Sequence, residues 1–162
     1  MHREETVPES FSSRHGPVFA VALSTLLFQL PFFDRWFNFM DEGHMLLFSE
    51  MAARGGELYR DATFYPLPGA FLFLAQVFKL VDASILLTRW IVVLQFSLFV
   101  TLVFVLLRRL VPPAWAWLAL PCFWLYRIWG FPHWHIYSYS TTALLVLLMG
   151  VAIARTRTEA RV

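Results

Sequence analysis

Residues 90–107, WIVVLQFSLFVTLVFVLL, run for 18 positions without a charge between Arg89 and Arg108. A helix needs roughly 20 apolar residues to cross a bilayer, with a range of ~17–25. This stretch therefore decides the class of fold to look for. Four more uncharged runs flank it: Pro17 to Phe33, Ala62 to Phe78 and Leu110 to Tyr126, each of 17 residues, and Ile136 to Ala154, of 19. The whole composition agrees, with 59% apolar, 18% aromatic and 15% charged residues in 162. Soluble domains carry ~25% charge and ~45–50% apolar residues, and disorder is excluded in a chain with 17 Phe and 7 Trp.

The net charge of +2 does not point to nucleic acid. No cationic run exceeds Arg108-Arg109, so there is no basic stripe to follow a phosphate backbone. The single Cys122 lies in an apolar stretch and reads as a small buried hydrophobe that forms no intrachain disulfide. The first apolar run ends in Pro31-Phe32-Phe33-Asp34, too bulky for signal cleavage, and is expected to remain as an anchor.

Tyr65-Pro66-Leu67-Pro68-Gly69 breaks the second run and leaves only Ala70 to Phe78 ahead of Lys79, too short to cross. Residues 66–81 are thus expected to dip into the outer leaflet. With the N-terminus inside, seven cations then face the cytoplasm (Arg3, Arg14, Arg108, Arg109, Arg155, Arg157, Arg161) and six face outward (Arg35, Arg54, Arg60, Lys79, Arg89, Arg127). Full crossing by 66–81 would leave five inside and eight outside, against the positive-inside rule.

The expected architecture is all-α and polytopic. Residues 1–16 form a mobile cytoplasmic tail, 17–155 a membrane module and 156–162 a second cytoplasmic tail. Within the module four helices cross, at about 17–33, 85–107, 112–128 and 137–154. The outer loop 34–84 holds membrane-lying helices, of which 41–54 is amphipathic and is stopped by Gly55-Gly56. Trp124, Trp129, Trp134, Tyr137 and Tyr139 are expected in an outer aromatic belt, with Trp115 and Trp117 at the inner face.

Asp41-Glu42-Gly43-His44 sets two adjacent carboxylates at the start of a helix on the outer face. The free N–H groups and dipole of a helix N-terminus hold a carboxylate in a fixed direction, which also suits a plain N-cap role for Asp41. The series continues with Gly55-Gly56, Tyr59-Arg60-Asp61, Tyr65-Pro66-Leu67-Pro68-Gly69, Leu80 to Asp82 and Arg89. In this order and topology the chain resembles, over roughly residues 15–155, the N-terminal part of polytopic GT-C type glycosyltransferases. That group includes the protein O-mannosyltransferases and the lipid A aminoarabinose transferases.

The resemblance implies transfer of a sugar from a polyprenyl-phosphate donor to an acceptor at the outer membrane surface. Asp41 would be the catalytic carboxylate, and Glu42 would assist it or help bind a divalent metal where a member uses one. The chemistry suits the residues, because a positioned carboxylate takes the proton of a weakly nucleophilic hydroxyl in the transition state. A guanidinium fork fits the departing phosphate, for which Arg60 and Arg89 are the candidates, with His44 and Tyr65 beside them as substrate-binding residues. Arg89 equally suits an interfacial side chain reaching the headgroups, and Arg60 suits a pair with Asp61. The chain departs from the family where members carry a second Asp near the helix that begins at Ile136. Ser140 stands there, with His133 or His135 as possible substitutes.

His133 and His135 would share one side of an extended strand and could hold a metal with His44 as a distant third ligand, or simply join the aromatic belt. The spans contain no mid-helix acid, so an ion pathway or transporter has little basis. Four crossings are fewer than such enzymes use. The expectation is accordingly a truncated N-terminal module in the bacterial cytoplasmic membrane, both termini cytoplasmic, with membrane lipid and a second polypeptide as partners. The alternative is a small non-catalytic membrane protein that assembles with partners or lipids through its outer segment.

Overall fold

The computed structural model describes residues 11–38, 40–61 and 66–159. Among them are six α-helices, one 3-10 turn and no strand, so the chain is all-α. The helices are α1 (Phe11–Gln29), α2 (Asp41–Ala53), α3 (Gly69–Phe78), α4 (Ile85–Leu107), α5 (Pro113–Trp129) and α6 (Tyr139–Glu159), and the 3-10 turn spans His133–His135. Of these, α4 alone is long and apolar enough to cross a membrane by length and composition, with a mean hydropathy of 2.6.

Local chemistry fixes the ends. The first helix stops at Gln29 rather than Phe33, because Pro31 disfavours helical backbone at Leu30 and the chain goes on in turns. Ser84 caps α4, its hydroxyl accepting from the Leu87 N–H at 3.1 Å. At the end of α2 the Gly56 N–H donates to Met51 O at 2.9 Å and the Gly55 N–H to Ala52 O at 3.2 Å. This double closure is a Schellman motif, and it requires the left-handed φ of +95° that Gly55 adopts.

Helix α4 is the axis of the bundle. It packs against α1, α5 and α6, while α2 lies on α3 and α3 on α6. Two apolar clusters follow. One joins Met45, Ala70, Phe71, Leu74, Val92 and Tyr137 beneath α2 and α3. The other joins Val21, Val100, Phe104, Ala116 and Leu120 toward the opposite end. The short helices α2 and α3, the 3-10 turn and the start of α6 thereby gather around the N-terminal end of α4.

Three sequence expectations shift. Tyr137 is 1% exposed, and its hydroxyl donates to Ala70 O at 3.0 Å. It is a core residue that ties α3 to the start of α6 rather than a member of an interfacial belt. Trp124 points inward as well, stacked on Phe28 at 5.0 Å, whereas Trp129 and Tyr139 stay exposed. The apolar surroundings of Cys122 suggest burial, yet it faces outward from α5.

The Gly55 turn gives a direct check. Gly55→Ala places a Cβ at a left-handed residue, which costs about 1–2 kcal/mol. The expected loss of thermal stability in neutral detergent is of that size. Gly43→Ala, where an added Cβ meets nothing within 4 Å, should be neutral or slightly stabilising.

Candidate functional site

The loop before α2 prepares Asp41. The Asn38 side-chain oxygen accepts from the N–H groups of Met40 and Asp41, both at 3.1 Å. The Asn38 amide nitrogen donates to Asp41 Oδ2 at 3.0 Å. The helical hydrogen bonds also reach back, with the Glu42 N–H donating to Asn38 O at 3.0 Å. Asn38 therefore does the capping, and the exposed Asp41 side chain is left free of that duty. Sequence reasoning missed Asn38; its place three residues before Asp41 was the available signal.

A pocket of ≈ 370 Å³ opens beside Asp41. The start of α2 contributes Asp41, His44 and Met45, with Met40 just before it, and Pro66 closes one wall. The opposite wall is His133 and the segment from Ile136 to Thr141, including Ser138, Tyr139 and Ser140. Asp41 and His44 are three residues apart and so share a helix face. The pocket thus brings the Asp41 carboxylate and the Ser140 hydroxyl to one cavity. His133 is on the same wall. The Ser138 hydroxyl accepts from the Ser140 N–H at 3.2 Å and fixes the start of α6.

Glu42 takes another path. One residue on, a helix turns by about 100°, and the Glu42 side chain is fully buried. Arg89 Nε donates to Glu42 Oε1 at 2.8 Å and Arg89 Nη2 to Oε2 at 2.9 Å. The same guanidinium donates from Nη1 to the carbonyls of Phe33 at 3.4 Å and Arg35 at 3.3 Å, and from Nη2 to the Trp36 carbonyl. Every nitrogen of Arg89 is committed. Neither Glu42 nor Arg89 lines the pocket, so both depart from the expected roles in catalysis and phosphate binding and serve as a clamp between α2 and α4. The headgroup-snorkelling alternative for Arg89 fails for the same reason, since the residue is 6% exposed.

Arg60 is exposed and pairs with Glu57 at 3.1 Å, while Asp61 accepts the Glu57 N–H at 2.7 Å. The expected Arg60–Asp61 pair is thus replaced by two separate bonds to Glu57. Arg60 lies off the pocket wall. Tyr65, the remaining candidate, lies outside the described residues.

The two histidines also separate. Residues 133–135 form a 3-10 turn, in which positions i and i+2 point to different sides. His133 is exposed on the pocket wall, whereas His135 is 5% exposed, and neither of its nitrogens has a hydrogen-bond partner. Its ring packs edge-on against Phe131 at 5.0 Å. Burial, then the charges of Arg127 and Arg89, push its pKa down to about 3, so the ring is neutral. Among the described residues no group of three or more His, Cys, Asp or Glu could hold a metal.

A second polar cluster, absent from the sequence reading, joins α1, α4 and α5. Gln29 Nε2 donates to Thr25 O, Val93 O and Ser97 Oγ at 3.0–3.1 Å. Gln29 Oε1 accepts from Arg127 Nη2 at 3.2 Å. The chain matches no known protein family, no curated protein and no solved structure.

Two measurements test this geometry. Removing one partner of a buried ion pair costs about 3–5 kcal/mol. Glu42→Ala should therefore unfold the protein at markedly lower temperature, whereas Asp41→Asn should change stability by less than about 1 kcal/mol. For pH, the unfolded His135 binds a proton near pH 6.5 while the folded ring resists it to about pH 3. The unfolded state binds more protons in that window, so stability should fall as the pH drops from about 6.5 toward 3. His135→Phe should flatten that part of the profile. An unchanged profile would show that other groups carry it.

Proposed function

We propose that the chain is a polytopic membrane protein with a glycosyl-transfer site of the GT-C type at its outer surface. The membrane reading is supported by what α4 exposes, since only 28% of its apolar window is buried. The core helix of a soluble protein would be mostly covered. Phe19 on α1, Leu94 on α4, Leu125 on α5 and Leu147 on α6 are each more than half exposed, which gives α1, α5 and α6 lipid-facing sides too. Arg108, Arg109 and Arg155 mark one end of the bundle, and the acids of 34–82 lie at the other. The positive-inside rule then puts the pocket outside and both termini in the cytoplasm.

The observation that carries the transfer reading is the pocket shared by Asp41, His133 and Ser140. In it Asp41 serves as the base. The acceptor hydroxyl gives its proton to the carboxylate as its oxygen bonds the anomeric carbon of the donor sugar. The bond from that carbon to the phosphate oxygen breaks, and the lipid phosphate leaves with the electron pair. Asn38 orients the carboxylate by its bond to Oδ2. His44, His133 and Tyr139 supply donors and acceptors for sugar hydroxyls along the walls. The donor is a polyprenyl-phosphate sugar, and the membrane is the cytoplasmic membrane of a bacterium.

The test is sugar transfer from labelled polyprenyl-phosphate donors by membranes containing the protein. Asp41→Asn should lower turnover by about 10²–10⁴, the usual contribution of a general base, with insertion and stability retained. Undiminished transfer by Asp41→Asn would overturn the assignment. A protein that transfers nothing yet folds and inserts normally would favour a non-catalytic membrane protein.

A further inference from the structure

Helices α5 and α6 both pack on α4. A slot opens between them, with α4 as its floor, separate from the pocket at Asp41. Its volume is ≈ 130 Å³, comparable with the ~150 Å³ cavity that takes a benzene ring. Phe99, Phe123 and Leu144 make it mainly apolar, and Gln95 and Arg127 bring polar atoms into it. Arg127 is 3% exposed, and among the described residues no carboxylate pairs with it, in contrast to Arg89 and Glu42. Its Nη2 donates to Gln29 Oε1 and its guanidinium rests over the Phe96 ring at 4.4 Å, but Nε has no partner. Gln95 Oε1, also buried, has no donor.

The C-terminal dipole of α5 and the Phe96 ring offset part of the charge, yet neither accepts from Nε. Water in the slot would satisfy that donor and leave the cation without a counter-charge among apolar walls. An acid is the missing group. It does not come from a crossing helix of this chain or of a second copy: α1, α4 and α5 contain no Asp or Glu, and the one in α6 is Glu159, at the end away from Arg127. We infer that the slot receives a transmembrane helix of a second polypeptide, which sets an aspartate or glutamate on Arg127. The carboxylate accepts from Nε, and a water between it and Gln95 Oε1 donates to both. The slot takes the acidic side chain, while the rest of the partner helix lies in the open gap between α5 and α6, against Tyr126 and Leu144, each 46% exposed. Arg127 is two residues from the end of α5, so the partner's acid sits within about one turn of the end of its own span. The inference rests on the membrane reading of these helices and not on the transferase reading.

The experiment places the full chain, fluorescently labelled at its N-terminus, in phosphatidylcholine vesicles with labelled transmembrane peptides of roughly 20 leucines. One residue a turn from the peptide's end is Glu, Gln or Leu, and association is read by energy transfer. The Glu peptide should associate at least about tenfold more tightly than the Leu peptide, and more tightly than the Gln one. Arg127→Gln should abolish that preference and Arg127→Lys should restore part of it. Because Arg127 also holds Gln29, Leu144→Trp provides an independent check. It fills the slot from α6 with Arg127 intact, and it should weaken the Glu peptide about tenfold with helical content unchanged. Equal association of the Glu peptide and either other peptide, an undiminished preference in Arg127→Gln, or undiminished association in Leu144→Trp would overturn the site. Loss of the preference on adding phosphatidylglycerol would make an anionic headgroup the occupant, and Arg127-dependent energy transfer between copies of the chain would make it a second copy; either result overturns the inference. Asp41→Asn should associate with the Glu peptide as the wild type does. A chain that fails to insert would remove the membrane reading and this inference with it, whereas an inserted chain indifferent to the acid would remove the inference alone.

Discussion

The arrangement depends on one buried ion pair. Glu42 sits in the first turn of α2 and Arg89 in the second turn of α4, 47 residues apart, and two parallel hydrogen bonds of 2.8 and 2.9 Å join them. Taking both charges out of water is costly, and such a pair is weak evidence for stability. Its effect here is positional. The remaining donors of Arg89 collect the carbonyls of Phe33, Arg35 and Trp36, so one side chain fixes the exit from α1, the loop that follows and the start of α2. Trp36 holds a left-handed φ of 62°, a conformation that a bulky residue adopts only under constraint. The cluster of Arg89 bonds around it supplies that constraint.

Asp41 inherits its direction from this clamp. The neighbouring carboxylates have opposite surroundings because a helix turns between them: Glu42 looks into the bundle and Asp41 looks into the pocket. Asn38 completes the arrangement from the loop side. The far wall is set by a separate device, the Tyr137 hydroxyl bonded to Ala70 O, which holds the start of α6 against α3. The wall from α2 is therefore held through Glu42 and Arg89 to α4, and the wall from the start of α6 through Tyr137 to α3.

Much of this was legible in the chain. Uncharged runs gave the long helices, Pro66 and Pro68 kept α3 short, and the Gly55-Gly56 stop of α2 was read directly from the residues. Of the acidic motif, Asp41 lines a pocket and Glu42 does not. What stayed hidden were pairings between distant positions. Nothing local distinguishes Glu42 from Asp41, because the distinction comes from a partner on α4. The buried cluster of Gln29, Ser97 and Arg127 reads in sequence as scattered polar residues, since its members meet only when three helices pack. His133 and His135 failed as a pair because the turn that carries them is 3-10 rather than extended.

We propose that one end of the bundle, with its clamp and pocket, faces the outer surface while the arginine-marked end faces the cytoplasm. Cysteine accessibility tests it most directly. In a Cys122→Ser background, Ser140→Cys and Arg109→Cys would each be exposed to a membrane-impermeant maleimide in intact cells and again after permeabilisation. The account predicts that position 140 is labelled in intact cells and position 109 only after permeabilisation. The reverse pattern, or equal labelling of both positions in intact cells, would contradict it.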